Sequence, residues 1–172
     1  MQYTYFKSNY FRVFEGIFPV DRIDFEIIQH LQNDGRISNK SLAAKVGLAP
    51  STCFERVKQL QTKGVINGIH ADIQPKALGI GLEAIYFIEL AKHSRELVET
   101  FQSEIEQMPE VRSVYLVSGQ YDFLVHVAVK DTEHLRNLAL DSFTIRPEVT
   151  RIETVLIFDH RRKFVLPSFV EK

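Results

Sequence analysis

Apolar residues recur at helical spacing in three short groups between residues 21 and 63. Ile23, Ile27, Ile28 and Leu31 share one face of a helix predicted over 21–32, and Asp21 or Asp24 suits its positive N-terminal end. Asn33-Asp34-Gly35 is a stop-and-turn signal. A second helix follows, capped by Ser38 or Asn39, with Leu42, Ala43 and Val46 as its apolar side. Gly47-Leu48 ends it, and Pro50 suits the first turn of a third helix, where its missing N–H would have no partner in any case. Stepping about 100° per residue from Val57 places Cys53, Phe54 and Leu60 beside it as core. The same rotation puts Ser51, Thr52, Glu55, Gln59, Thr62 and Lys63 on the far side and Arg56 and Lys58 on the flanks. Gly64 closes this helix, and Val65–His70 reads as a short hairpin with Asn67-Gly68 at its tip. Three helices and a hairpin make a winged helix-turn-helix over residues 20–73.

The period then changes. Residues 74–81, with Pro75, Gly79 and Gly81, read as a linker. Leu82–Leu90, Val111–Val117, Phe123–Val129 and Val149–Phe158 alternate as strands. Arg95–Met108 and Thr132–Phe143 are amphipathic helices, the first using Leu97, Val98, Phe101, Ile105 and Met108. The order βαββαβ over 82–160 predicts a ferredoxin-like domain, an antiparallel sheet with both helices on one face. The fold class is therefore α+β. The sheet's other face carries large apolar side chains in either register, Ile85 and Phe87 or Tyr86 and Ile88. A lone domain of this size rarely leaves such a face in water, so a second copy is expected to cover it. Residues 161–172 read as a C-terminal tail, entered through the charged run Asp159–Lys163. Residues 1–19 hold seven of the nineteen aromatics, and Tyr3, Phe6, Tyr10, Val13, Phe14 and Ile17 fall near helical spacing, which suits an amphipathic helix or an extension without function.

Charge changes the picture more than composition does. The whole chain is near neutral at −1. Residues 36–70 carry six cations and one anion, whereas 81–157 carry seven cations and thirteen anions. A basic half joined to an acidic half suits one domain for a polyanion and one for something else. The single Cys53 excludes an intrachain disulfide and lies on the core side of its helix, where a small buried apolar residue is the expected role. No apolar run reaches the ~18 residues of a membrane span. With no apolar signal core at the N-terminus, the expected compartment is the cytoplasm, at the nucleoid. The six histidines form no i, i+4 pair and no Cys/His cluster, so no metal is expected. There is no nucleophile–base pair, carboxylate dyad or cofactor loop, so neither a cofactor nor catalysis is expected.

The exposed face of the third helix suits a DNA major groove. Ser51, Thr52, Glu55 and Gln59 are candidates for base edges, Gln59 suiting adenine and Glu55 cytosine. Arg36, Lys40, Arg56, Lys58 and Lys63 are candidates for phosphate contacts, with Ser38 and Asn39 beside them at the start of the second helix. Arg56 has a second role open to it, pairing with Asp24 or Glu26 to hold the helices together.

The motifs that carry this reading are Asp21-x-x-Asp24-x-x-Ile27-Ile28-x-x-Leu31, Asp34-Gly35-Arg36-x-Ser38, Leu42-Ala43-x-x-Val46-Gly47-Leu48, Arg56-Val57-x-x-Leu60 and Gly64-Val65-Ile66-x-Gly68. About 50 residues later comes Val117-Ser118-Gly119-x-Tyr121-Asp122. Together, from about Asp21 to about Pro167, they resemble the Lrp/AsnC family, the feast/famine regulators of bacteria and archaea. The resemblance implies a transcriptional regulator that binds double-stranded DNA, pairs through its βαββαβ half, often assembles further into tetramers or octamers, and commonly holds an amino acid or related small effector between subunits. It also implies that Ser118, Gly119, Gln120, Tyr121 and Asp122 form the effector loop, with Asp122 accepting from an α-ammonium and backbone N–H groups facing a carboxylate. As a plain turn, the same segment would have Asp122 cap its own backbone. One departure is Ala49, where the family usually has Ser or Thr before the third helix; Ala is a poorer cap by roughly 1 kcal/mol. An effector-independent protein that wraps DNA with little sequence choice is the competing expectation, and the ratio of specific to non-specific affinity separates the two.

Overall fold

The computed structural model describes residues 20–92 and 94–169. The aromatic segment 1–19, and with it the expected N-terminal helix, lies outside the described residues. Two compact units result, one containing residues 20–71 together with 162–169, the other residues 72–161.

The first unit is built on α1 (Arg22–Asn33), α2 (Asn39–Lys45) and α3 (Pro50–Thr62). Ile27, Leu42, Ala43, Val46, Cys53 and Leu60 form its buried core, with Val57, Val65 and Ile66 packed at the edge. Two expectations fail here. Phe54 is not core: it is 55% exposed, because Cys53 and Leu60 centre the buried arc on the other side of Val57. The hairpin over Val65–His70 forms no ladder either. Its type I′ turn would need positive φ at both Asn67 and Gly68, and neither has it. Val65 and Ile66 turn inward while residues 67–70 are exposed, so no second apolar face remains to hold a paired strand. Residues 162–169, expected as a solvated tail, belong to this unit, and the Leu166 N–H donates to Gln32 Oε1 at 2.7 Å.

The second unit opens with a short 3-10 turn, Pro75–Leu78. Its elements are β1 (Leu82–Leu90), α4 (Arg95–Glu106), β2 (Val111–Leu116), β3 (Phe123–Val129), α5 (Thr132–Leu138) and β4 (Val149–Ile157). α5 runs on into a π-helical turn, Ala139–Thr144. The sheet order is β2-β3-β1-β4 with every neighbouring pair antiparallel, as the βαββαβ pattern requires. Gly81 leads into β1 at a point where only glycine fits, since a Cβ there would lie 2.1 Å from the Lys130 carbonyl oxygen.

The structure decides the register that the pattern left open. Ala84, Tyr86, Ile88 and Leu90 of β1 and Phe123, Val125, Val127 and Val129 of β3 are buried beneath Val98, Phe101 and Ile105 of α4 and Leu135, Leu138 and Phe143 of the α5 segment. Tyr86 is fully buried, and its hydroxyl donates to the Leu135 carbonyl at 2.6 Å. By alternation, Ile85 and Phe87 point to the other face, beside Leu124 and His126 of β3 and Glu153 and Val155 of β4.

That second face also holds a charge cluster. Glu83 is buried, and its Oε1 accepts from Arg112 Nη1 at 2.7 Å. Its Oε2 lies 3.3 Å from His126 Nε2 and 3.4 Å from His160 Nδ1. His126 Nε2 is buried without a properly aligned hydrogen bond. Burial lowers the His126 pKa below its ordinary 6.5, and the pull of Glu83 does not offset this; Arg112 and His160 lower it further. The folded chain therefore takes up this proton less readily than the unfolded chain. Stability from this site is intact above about pH 6.5 and declines as pH falls from there towards the folded value. Urea titrations at pH 7.5 and 5.5 are expected to show a larger acid loss for the natural chain than for His126→Gln. Equal losses would remove His126 as the source.

Candidate nucleic-acid interface and ligand loop

Each helix of the first unit is positioned by short polar contacts. Asp21 caps α1, its Oδ1 accepting the Asp24 N–H at 2.8 Å while Asp24 Oδ2 accepts the Asp21 N–H at 3.4 Å, a reciprocal capping box. Ser38 caps α2 by accepting the Ser41 N–H at 3.1 Å. Asn39 Nδ2 donates to the Pro50 carbonyl at 2.8 Å, tying α2 to the first turn of α3. Ser38 and Asn39, candidates for DNA contact, thus hold the helix-turn-helix corner through these atoms. α3 starts at Ala49 without a side-chain cap, as its composition foretold.

Arg56 joins α3 to α1. Its Nη1 donates to Asp21 Oδ2 at 2.6 Å and to Asp24 Oδ1 at 2.8 Å, and its side chain is 30% exposed. Asp24 was one expected partner. Glu26, the other, pairs with Arg22 at 3.2 Å instead. The Asp24 backbone N–H and then the Arg56 guanidinium hold the Asp21 carboxyl below the usual carboxylate range. Of the five phosphate candidates, Arg56 is thus the one already engaged with carboxylates, whereas Arg36, Lys40, Lys58 and Lys63 are exposed.

Ser51, Thr52, Glu55 and Gln59 are all exposed on α3. Thr52, Glu55, Gln59 and Lys63 line one side of a shallow depression whose other wall is Asp21 and Asp24, with Arg56 between. Of the two carboxylates at the edge of this face, Asp24 was expected beside Arg56, whereas Asp21 is the one that sequence reasoning missed. The Arg56 bridge offsets one of their two negative charges where a polyanion would otherwise be repelled.

In the second unit, Ser118, Gly119 and Gln120 form an exposed bend after β2, with Gly119 at φ 131°. That backbone conformation is open to glycine and strained for other residues. Tyr121 leans on the second sheet face, its ring 5.3 Å from that of Phe87. Asp122 does not cap its own turn. It is 8% exposed, and its Oδ2 accepts the Leu90 N–H at 2.7 Å. Its N–H donates to the Ile88 carbonyl at 2.8 Å and its carbonyl accepts from Val117 N at 2.9 Å. The expected loop residues are therefore split between an exposed bend and a buried anchor at the end of β1.

Two further residues belong beside the loop. Arg151 stands over the Tyr121 ring at 5.7 Å and pairs with Glu153. The Glu153 carboxylate beside Tyr121 raises the pKa of its hydroxyl. The alternation Arg151, Glu153, Val155, Ile157 placed both on one face of β4, but nothing in the sequence placed that face against Tyr121. Among the described residues no group of three His, Cys, Asp or Glu side chains is arranged to hold a metal, and no helix is long and apolar enough to cross a membrane.

Known proteins share both halves. Two family models match, one for winged helix-turn-helix DNA-binding over residues 20–67 and one for the Lrp/AsnC ligand binding domain over residues 83–163. The HTH-type transcriptional regulator AldR of Mycolicibacterium smegmatis is 42% identical over 143 residues, which cover 83% of this chain and 84% of that protein. The crystal structure of MtbAldR is similar with a TM-score of 0.74 at 35% identity, covering 83% of this chain and 95% of the other. A transcriptional regulator of Neisseria meningitidis, solved as an L-Met complex, has a TM-score of 0.77 at 27% identity and covers 86% of this chain and 96% of its own.

Proposed function

Because this chain belongs to the Lrp/AsnC family of DNA-binding transcriptional regulators, we propose that it is a sequence-selective regulator whose assembly is set by an amino acid or related metabolite held between copies. The observation that carries the DNA reading is the exposed polar face of α3, fixed to α1 by the two Arg56 hydrogen bonds. A face held this rigidly presents Ser51, Thr52, Glu55 and Gln59 to base edges in a set orientation, while Arg36, Lys40, Lys58 and Lys63 reach phosphates. Arg56 serves mainly by positioning α3.

The effector reading is supported by the place of Ser118–Asp122 within the matched ligand-binding segment and by the L-Met complex of the Neisseria relative. A homodimer, and from it a tetramer or octamer, is supported by the apolar second face of the sheet. Two copies would present two α3 helices to successive major-groove faces, so operator half-sites would lie about one helical turn or a multiple apart. The effector can act only by binding one assembly or spacing better than another.

Footprinting on the DNA upstream of the coding region, at two salt concentrations with and without pooled amino acids, tests this. Discrete protections at helical spacing that shift with one amino acid are expected. Glu55→Ala and Gln59→Ala should each weaken the specific complex about ten-fold or more, leaving non-specific binding unchanged. Uniform, salt-sensitive coverage indifferent to every amino acid would overturn the reading in favour of an architectural protein.

A further inference from the structure

Phe54 is the anomaly of the first unit. Helical rotation from Val57 assigns it to the core, yet Cys53 and Leu60 fill the buried arc and leave its ring 55% exposed. It is the fifth of thirteen residues in α3, and so lies in the forward half that enters a groove first. Of its neighbours one turn away, Ser51 and Lys58 are exposed and polar, Pro50 is exposed and Val57 is half-buried. One large exposed ring thus projects from the flank of α3, between its core side and its polar face.

Resting on the DNA reading above, we propose that Phe54 is a specificity-determining residue whose ring packs on the C5-methyl groups of thymines in the major groove. Among the edges that a duplex shows there, the thymine methyl is the apolar group, and an aromatic ring is a suitable partner for it. The surroundings favour DNA over protein as the occupant. Protein interfaces are depleted of lysine and carboxylates at their apolar centres, whereas here the exposed Lys58 lies one turn on from Phe54 and the exposed Glu55 follows it in sequence. A lysine next to the ring instead suits a phosphate beside the base being read. Phe54 then supplies discrimination that the hydroxyls of Ser51 and Thr52 lack, since hydroxyls accept either base pair.

The test starts from a high-affinity duplex selected with the natural chain out of a random pool. Affinities of the natural chain, Phe54→Ala and Phe54→Leu are measured at fixed salt on that duplex and on the same duplex with thymines of the protected site replaced one at a time by deoxyuridine, which lacks the methyl. At one or two positions the natural chain is expected to lose about four-fold per methyl removed. Phe54→Ala should bind the thymine and deoxyuridine duplexes equally, and Phe54→Leu should retain part of the difference. Circular dichroism and particle mass should match the natural chain. A Phe54→Ala protein that keeps the natural thymine preference overturns the proposal, as does one whose particle mass changes, which would assign the ring to a contact between copies. Failure of the natural chain to enrich any sequence would instead overturn the DNA reading on which this rests.

Discussion

Asp122→Ala is expected to destabilise the second unit by about 2 kcal/mol, because it removes a charged acceptor and strands a buried donor. The donor is the N–H of Leu90, a residue 3% exposed at the end of β1. The β1–β3 ladder ends at the pair Ile88 and Phe123, and beyond it the Asp122 side chain takes the place of a strand partner for Leu90. An unpaired N–H in such a site loses water without replacement. For a unit of this size, the midpoint of its thermal transition should fall by roughly 10 °C. Asp122→Asn keeps an oxygen that can accept from Leu90 and removes the charge. It should recover much of the stability, while an amino-acid ligand whose ammonium needs the carboxylate would still bind poorly. Chemical denaturation and ligand calorimetry on both variants separate the two roles. Unchanged stability in the alanine variant would show that the Leu90 contact is dispensable. Restored ligand affinity in the asparagine variant would show that Asp122 acts on the ligand only through the fold.

Ile85→Lys is expected to leave each chain folded and to abolish self-association. Ile85 sits on the central strand β1, between His126 of β3 and Val155 of β4, on the sheet face away from α4 and α5. A lone chain can keep the new ammonium in water, whereas a copy packed over the sheet would bury it without a partner, at several kcal/mol. The variant should run as a particle of 19.9 kDa with an unchanged far-ultraviolet spectrum. Operator affinity should fall by about 100-fold or more, because two α3 helices on one particle bind far better than two on separate ones. A variant that keeps the particle mass of the natural chain would place the assembly surface elsewhere.

Most helices and the strands of the sheet were legible because they depend on local periodicity, although the helix expected over Thr132–Phe143 turns π-helical after Leu138. β1 and β3 match the alternating segments end for end, and Asp21 starts α1 where a cap was expected. The candidate DNA face was legible for the same reason, since polar residues at helical spacing mark the side a core does not use. Phe54 misled because a rotation angle gives direction relative to Val57, while the centre of the buried arc depends on what α1 and α2 pack against. The Asn67-Gly68 signal misled because a turn preference is worth little when only Val65 and Ile66 find apolar partners. Asp122 was read as a turn residue because the donor it accepts from, the Leu90 N–H, lies 32 residues away, on β1. The grouping of Arg151 and Glu153 with Tyr121 rests on strand order in the same way.

The chain by itself thus determined its α+β class, its two-part order, its family motifs and the polar face of α3, all of which follow from spacing within one element. Tertiary structure alone decided which face of the sheet holds Ile85 and Phe87, that Arg56 bridges to Asp21 and Asp24, that Asp122 anchors β1, and that Phe54 stands in water. Each of these joins residues far apart in sequence. Their outcome depends on how several elements compete for the same buried space, and no local pattern carries that information.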